Sequence, residues 1–434
     1  MKQFPMRNLR HSLIITIILL SPLSIRAQKT MNLDEAIMVA LENNYSLKIS
    51  RNDETISKNN VTLAPFLPTV TGTGRQSQTT NDTESGSADA ERSRTNLYTA
   101  GLAMNWRLFD GFGMFTDYSR QQELLAMSSQ RVKINVESLI MRVCSEYYNI
   151  IVQQNRMQSA LTSLALSKSR YENAEEKYLL GVISGLDLQQ ARIDLNADSS
   201  AVLSQQEIVI SAYIRMTNLL NAGHEINFNI NDTIILAPAI DVDSLRVRTL
   251  RFNNQLILAR QGEKLSEYDL QSVRAERYPT LNFSTGYNFS RSEFPWQADS
   301  YSQTKGLNWG FNMSWNIFSG LETNRRISNA KIEAESSRLA YLDIENEILG
   351  ELDLLYNTYR NNIIVADFET QSAEVARASL EIAMERYRLG SLSGLEFREY
   401  QNNYLNAINR RLTALYQAKI SEIGLRLLAG ELTE

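Results

Sequence analysis

Large apolar residues alternate with polar ones in two short stretches of the chain that lie 209 residues apart. In GLAMNWRLFDGF (101–112) and GFNMSWNIFSGL (310–321), five residues recur in step: Gly101/Gly310, Met104/Met313, Trp106/Trp315, Phe109/Phe318 and Gly111/Gly320. Period-two alternation sends successive side chains to opposite faces of a sheet. It puts Leu281, Phe283, Tyr287 and Phe289 on one face and Asn282, Ser284, Asn288 and Ser290 on the other. In the neighbouring stretch Trp309, Phe311, Met313, Trp315 and Ile317 oppose Asn308, Asn312, Ser314 and Asn316. The pattern predicts four strands, about 66–75, 97–109, 281–290 and 307–318, with polar loops over 76–94 and 291–306.

The remainder has the helical period. Helices are predicted over about 33–63 and 242–273, each ending close to a proline, where the preceding residue resists the α conformation. No proline interrupts 112–180 or 321–389, so each tract predicts a helix of roughly 100 Å at 1.5 Å per residue. Val132, Val136, Leu139, Val143, Tyr147 and Ile150 step by fours and threes in a coiled-coil-like seam. Ile348, Leu352 and Tyr356 echo Leu139, Val143 and Tyr147 at the same offset. Helices this long bridge a distance rather than enclose a core.

The duplication covers both halves. YLLGVISGLD (178–187) matches YRLGSLSGLE (387–396), FLPTVTGTG matches RYPTLNFSTG, and LLNAG matches LLAG. One repeat occupies 28–221 and a second 241–434, joined by an equatorial linker, 222–240, that reads as a short strand or two. At the tips, Gly181 and Gly390 suit the left-handed position that ends a helix. Ser184 with Asp187, and Ser393 with Glu396, have the spacing of a capping box, as do Ser319 and Glu322 at the strand-to-helix junction.

Residues 1–27 have the secretory order of basic stretch, apolar run (13–20) and small-residue site, with cleavage expected after Ala27. Their removal takes away Lys2, Arg7, Arg10 and Arg26 and no acid, moving the formal charge from −5 to −9. An acidic secreted chain argues against nucleic-acid binding. A single cysteine, Cys144, and one remaining histidine, His224, leave little for metal or triad chemistry. No phosphate-cradling glycine motif is present. Neither an enzyme nor a cofactor is expected.

Segments of about ten alternating residues with aromatics near their ends fit a transmembrane β-barrel, whose lipid face would carry Met104, Trp106, Phe311, Met313 and Trp315. Four strands do not close such a barrel, since closed membrane barrels start at about eight. Either several chains share one barrel, or the sheet is soluble and the protein is a non-conducting periplasmic spacer. A free-standing porin would need more strands per chain.

The doubled strand–loop–strand–hairpin order, the WRLFDG and WNIFSG junctions and the LGVISGLD and LGSLSGLE tips resemble the TolC family of outer-membrane efflux proteins. The resemblance implies a mixed fold, a β-barrel above a long α-helical coiled-coil barrel. Three chains would give four strands each to one twelve-stranded barrel, with the helices forming a tunnel across the periplasm. It implies a passive exit duct of a tripartite pump or type I secretion system, in an outer membrane. The implied partners are two further copies, a periplasmic adaptor, an inner-membrane transporter and outer-membrane lipid. Adaptor docking would fall on Gly181, Val182, Ser184, Gly390, Leu392 and Ser393, two tips per chain presenting six sites to a ring of adaptor hairpins. A periplasmic gate would fall on Glu396, Glu399 and Asp187, whose threefold rings would favour cations. Tyr387 would hold the closed state by a hydrogen bond across neighbouring helices.

Overall fold

A computed structural model describes residues 29–85, 88–221, 223, 228–237, 240–295 and 300–432. The expected signal peptide and His224 lie outside the described residues. The chain divides into two compact units, residues up to 39 with 146–234, and residues 40–145 with 235 onward.

The first unit is built on β1 (Lys29–Thr30), most of α1 (Leu33–Asn43), the second half of α3 (Gly113–Leu179), α4 (Gly185–Leu220) and β4 (Phe228–Asn229). A buried polar network joins α3 to α4. Arg170 pairs with Asp194, and the Ser163 and Ser167 hydroxyls donate to Asp198. Buried charges need such partners, and removing one side of a buried pair typically costs about 3–5 kcal/mol. The linker contributes β4, which pairs in parallel with β1. The Tyr213 hydroxyl accepts from the Ile230 amide at 3.2 Å and donates to Asn229 at 3.0 Å. Tyr147, fully buried, donates to Asp232 at 3.0 Å. Burial first, and then the Asp232 carboxylate, push the Tyr147 phenol well above the usual tyrosine range.

The second unit contains α2 (Tyr45–Asn60), β2 (Thr69–Ser85), β3 (Ala88–Asp110), α5 (Val242–Phe252), α6 (Asn254–Ala275), β5 (Thr280–Glu293), β6 (Tyr301–Ser314), α7 (Glu322–Arg388) and α8 (Gly394–Leu428). Both α3 and α7 run 67 residues, so the expected length of about 100 Å is met. Along α7 lie α6 first, with Arg326–Glu276 and Arg260–Tyr341 contacts, and then α8, with Arg410–Glu369 and Asn362–Ser421. Leu245, Leu352, Tyr359, Leu425 and Leu428 form the apolar cluster at the α5, α7 and α8 meeting point. Each buried leucine there contributes about 2 kcal/mol.

Where one helix was expected before each strand pair there are two. Asn44 separates α1 from α2, and Asn253, 209 residues on, separates α5 from α6. Each asparagine side chain accepts from amides of the following helix, Leu47 in one case and Gln255 and Leu256 in the other. A mid-helix asparagine that caps the next segment offers the backbone an alternative to continuing.

The four long strands form one antiparallel sheet in the order β2-β3-β5-β6. The expected loop over 76–94 is mostly strand, and β2 and β3 run 17 and 23 residues. This tract is polar at nearly every position, so it carries no hydrophobic period to read; its threonines supply the β preference. In the second repeat the pairing also extends outward, to Glu293↔Tyr301, but β6 stops at Ser314 rather than 318. There the Trp315 indole N–H donates to the Arg277 carbonyl at 3.1 Å, as Trp106 does to Phe66 at 2.9 Å. Both carbonyls lie two residues before a proline, so each tryptophan pins the strand-to-helix turn to the start of its strand pair.

The junction box expected at Ser319 and Glu322 does not form. Leu321 takes the N-cap position with φ +68°, Ser319 Oγ meets the Thr323 hydroxyl at 3.0 Å, and Glu322 turns to Arg325 at 2.9 Å. The left-handed backbone at both Gly320 and Leu321 carries the chain past the box geometry.

The repeat-equivalent glycines Gly111 and Gly320 both have positive φ, but a Cβ at Gly111 would meet the Ala275 carbonyl at 2.4 Å whereas Gly320 faces open space. Gly320→Ala should therefore cost only the left-handed strain, about 1 kcal/mol, and Gly111→Ala clearly more, since backbone must move. Thermal unfolding of the two variants side by side checks this; equal shifts would contradict it.

Candidate functional site

The strand register sorts the sheet into two chemically opposite faces. Directly paired residues share a face, so Trp106, Phe283 and Phe311 stand in one row and Phe109, Leu281 and Met313 in the next. Met104, Thr285 and Trp309 follow, then Leu102, Tyr287 and Leu307. Leu102, Trp106, Leu307, Trp309, Phe311 and Met313 are all exposed, and the Phe283 and Phe311 rings meet at a tilt of 46° with centroids 5.0 Å apart. The opposite face carries Asn105, Ser284 and Gly310 in one row and Ala103, Gly286 and Asn308 in another. There Asn288 donates to the Asn308 side chain at 3.0 Å, and a Cβ at Gly101 would strike Asn288 at 2.7 Å. Any side chain at 101 would push the Asn288 amide aside.

The apolar rows run along β3 from Ala100 to Phe109. Ten residues at about 3.3 Å, tilted by roughly 40°, span about 25 Å, the height of the apolar band of a membrane barrel. Met104, Trp106, Phe311 and Met313 lie on this face as expected, Met104 half-buried and the others exposed. Trp315 does not belong to the strand; it sits just past the end of β6, held by Arg277. No described helix is long and apolar enough to cross a membrane.

Each hairpin tip is a Schellman turn followed by a capping box. In the first, Gly181 has φ +71°, the Val182 amide reaches the Lys177 carbonyl at 2.8 Å, and the Gly181 amide reaches Tyr178 at 2.9 Å. Ser184 then starts α4, its amide and hydroxyl donating to Asp187 at 3.2 and 2.8 Å. In the second, Gly390 has φ +74°, Ser391 reaches Arg386 at 2.9 Å, and Ser393 donates to Glu396 at 3.0 and 2.8 Å. The Ser393 amide and hydroxyl, helped by Arg386, hold the Glu396 carboxyl below the usual carboxylate range.

Of the three acids expected at the gate, Asp187 and Glu396 serve as caps, while Glu399 lies exposed one turn further along α8. The Tyr387 ring stacks on Phe397 of its own hairpin at 5.2 Å, beside Gly394. Val182 is exposed, but Leu392, expected to be exposed as well, is half-buried in a groove with Ile382, Ala383 and Tyr400. The exposed apolar side chains that sequence reasoning passed over are Leu179, Leu180 and Leu186 at the first tip and Leu389 and Leu395 at the second. The leucines flanking each glycine were the available signal.

The sequence matches the outer membrane efflux protein family twice, over residues 37–222 and again over 245–431. The chain belongs to this family. Among its relatives, the cation efflux system protein CusC of Escherichia coli O157:H7 is 22% identical over 91% of this chain and 85% of its own. The proteases secretion protein PrtF of Dickeya chrysanthemi is 21% identical over 98% and 93%. In fold, this outer membrane efflux protein is similar to the CmeC outer membrane channel of Campylobacter jejuni. The TM-score is 0.77 at 18% identity, covering 92% of this chain and 85% of that one.

Because the folded-state acidity of Glu396 is raised by Ser393, the box stabilises the second tip above the ordinary glutamate pKa and loses that contribution as pH falls through the depressed value. Ser393→Ala should move the Glu396 titration up towards the ordinary range, and Ser184→Ala should leave it where it is. Carboxyl-carbon NMR titration of Glu-labelled protein reads this directly; an unmoved midpoint in Ser393→Ala would contradict it.

Proposed function

We propose that the chain is one third of an outer-membrane exit duct that conducts substrate passively across the periplasm and outer membrane. The observation that carries the reading is a sheet with one apolar face and two open edges. Among the described residues, β2 and β6 each pair on one side only. In lipid an unpaired strand edge is prohibitively costly, so the edges must meet other chains. Three copies supply twelve strands, with the apolar face to lipid and the amide and glycine face to the lumen.

The long helix supports the same assembly. Leu352, Tyr359, Ala366, Ala373 and Leu380 are buried at seven-residue intervals, a spacing that winds a left-handed supercoil. Two positions further on, about 200° around the helix, Leu354, Asn361, Phe368, Val375 and Ile382 are exposed, four of the five apolar. A helix with apolar seams on nearly opposite sides fits a wall in which each helix touches two neighbours, the second neighbour being another copy. A water-soluble spacer would leave both this seam and Trp309, Phe311 and Met313 in water, forfeiting roughly 1.5–3 kcal/mol for each large side chain.

Leu179, Leu180, Val182 and Leu186 at one tip, and Leu389 and Leu395 at the other, are the surfaces on which a periplasmic adaptor would dock. Gly181, Ser184, Gly390 and Ser393 shape those turns, and Leu392 supports the second from within. Glu396 and Glu399, with Asp187, are the acids of the periplasmic constriction, and Tyr387 braces that hairpin through Phe397. The inner-membrane transporter chooses the cargo, consistent with relatives named for cation efflux and for protease secretion.

Ion conductance in planar bilayers tests the reading. Wild type should pass a low, cation-selective current, and Glu396→Ala with Glu399→Ala should raise it severalfold and weaken the selectivity. A large current unchanged by the double substitution would move the constriction elsewhere, and none from folded protein in either form would sink the duct.

A further inference from the structure

The apolar face of the sheet ends in cations at the end where the strands make their hairpin turns. The last apolar row there is Ala100, Phe289 and Lys305. Beyond it stand Tyr98, Arg291 and Gln303, and then Asn96, Glu293 and Tyr301. Arg94, two residues past Asn96 and opposite Thr80, lies on the same face and is exposed. Lys305 and Arg291 are diagonal neighbours on adjacent strands, which puts their backbones about 7–8 Å apart. At the other end of the same face, the rows of Trp106, Phe283 and Phe311 and of Phe109, Leu281 and Met313 contain no cation.

The arrangement is built rather than scattered. Arg291 is placed by the Tyr301 ring, 4.7 Å from its guanidinium carbon, and by an ion pair with Glu293, whose carboxylate oxygen lies 2.9 Å from Nε. The two amino groups of the guanidinium carry four N–H donors. Lys305 is exposed and shares the face of Leu307, Trp309 and Phe311, a place where a lysine can rest its methylene stem on apolar surface and keep its ammonium in water. Tyr98, Tyr287 and Tyr301 supply the amphipathic rings that settle at a membrane interface. Glu293 is the one acid of these rows, and Lys305, Arg291 and Arg94 outnumber it.

Resting on the reading of this face as lipid-facing, we infer that Lys305 and Arg291 bind the phosphate groups of an outer-leaflet lipid whose acyl chains lie on the apolar rows below. Charge-assisted hydrogen bonds from a lysine and an arginine at this spacing match a headgroup bearing phosphate monoesters. Lipid contact is then chemically selective at the outer rim and purely apolar at the inner one. Charge complementarity and continuity with the apolar band single out an anionic lipid as the occupant.

The test uses the full-length mature protein in nanodiscs of phosphatidylethanolamine doped with diphosphoryl lipid A or with its dephosphorylated form, with retained lipid counted by native mass spectrometry. Wild type should retain the diphosphoryl form about fivefold over the dephosphorylated one. Lys305→Gln with Arg291→Gln should abolish the preference, and Lys305→Arg should keep it. Excess inorganic phosphate should leave the lipid in place, because its acyl chains hold it; displacement would assign the site to free phosphate and overturn the lipid. Equal retention of both forms, or full retention by the double variant, would overturn the proposal too. Liposome flotation separates the two layers of the argument. Protein that floats without headgroup preference overturns this inference alone, and protein that fails to float overturns the lipid-facing reading with it.

Discussion

Unsatisfied backbone on the two outer strands is the constraint on which the rest depends. A four-stranded sheet leaves the N–H and C=O groups of β2 and β6 facing outward along one side each. Water can satisfy them; hydrocarbon cannot. The same sheet shows a largely apolar face about 25 Å tall, which in the proposed duct meets hydrocarbon. The two demands are reconciled only if the edges of separate copies pair with one another. In the proposed duct three copies meet both demands by pairing their edges, which gives the lumen the neutral face of Asn, Ser and Gly.

Duplication supplies the parts cheaply, and divergence between the copies shows where each is used differently. The first hairpin is fastened by buried polar groups, Arg170 to Asp194 and two serines to Asp198. At the equivalent positions of the second stand Ser379, Asn403 and Ala407, and the buried residues along it include Ala366, Ala373 and Ala383. A hydrogen-bonded ion pair specifies one register, whereas a row of alanines allows close and smooth helix packing. The return helices diverge too. Tyr213 of α4 grips the linker at the Ile230 amide, and Glu422 of α8, its equivalent 209 residues on, grips it at the Ala237 amide, each within its own unit.

Much of this was legible in the sequence. Period-two alternation gave both faces of β5 and β6 correctly, the absence of proline gave the two 67-residue helices, and the Gly…Ser…acid spacing gave both tip boxes to the residue. What escaped did so for physical reasons. The outward extensions of β2 and β3 are polar at nearly every position and carry no hydrophobic period. The helix breaks at Asn44 and Asn253 depend on a side chain accepting from the next turn, which looks like any surface asparagine. Ser319 and Glu322 had the right spacing but the wrong backbone, because Gly320 and Leu321 both turn left-handed there. Leu392 stands in a turn, and the groove that half-buries it is formed by α7 and α8 together, which no local pattern shows.

The most direct measurement is the mass of the detergent-solubilised complex by native mass spectrometry. Open edges on β2 and β6 predict three chains per particle, with no stable population of one or two. A folded monomer that keeps its sheet would contradict the account, since it would show that these edges need no partner.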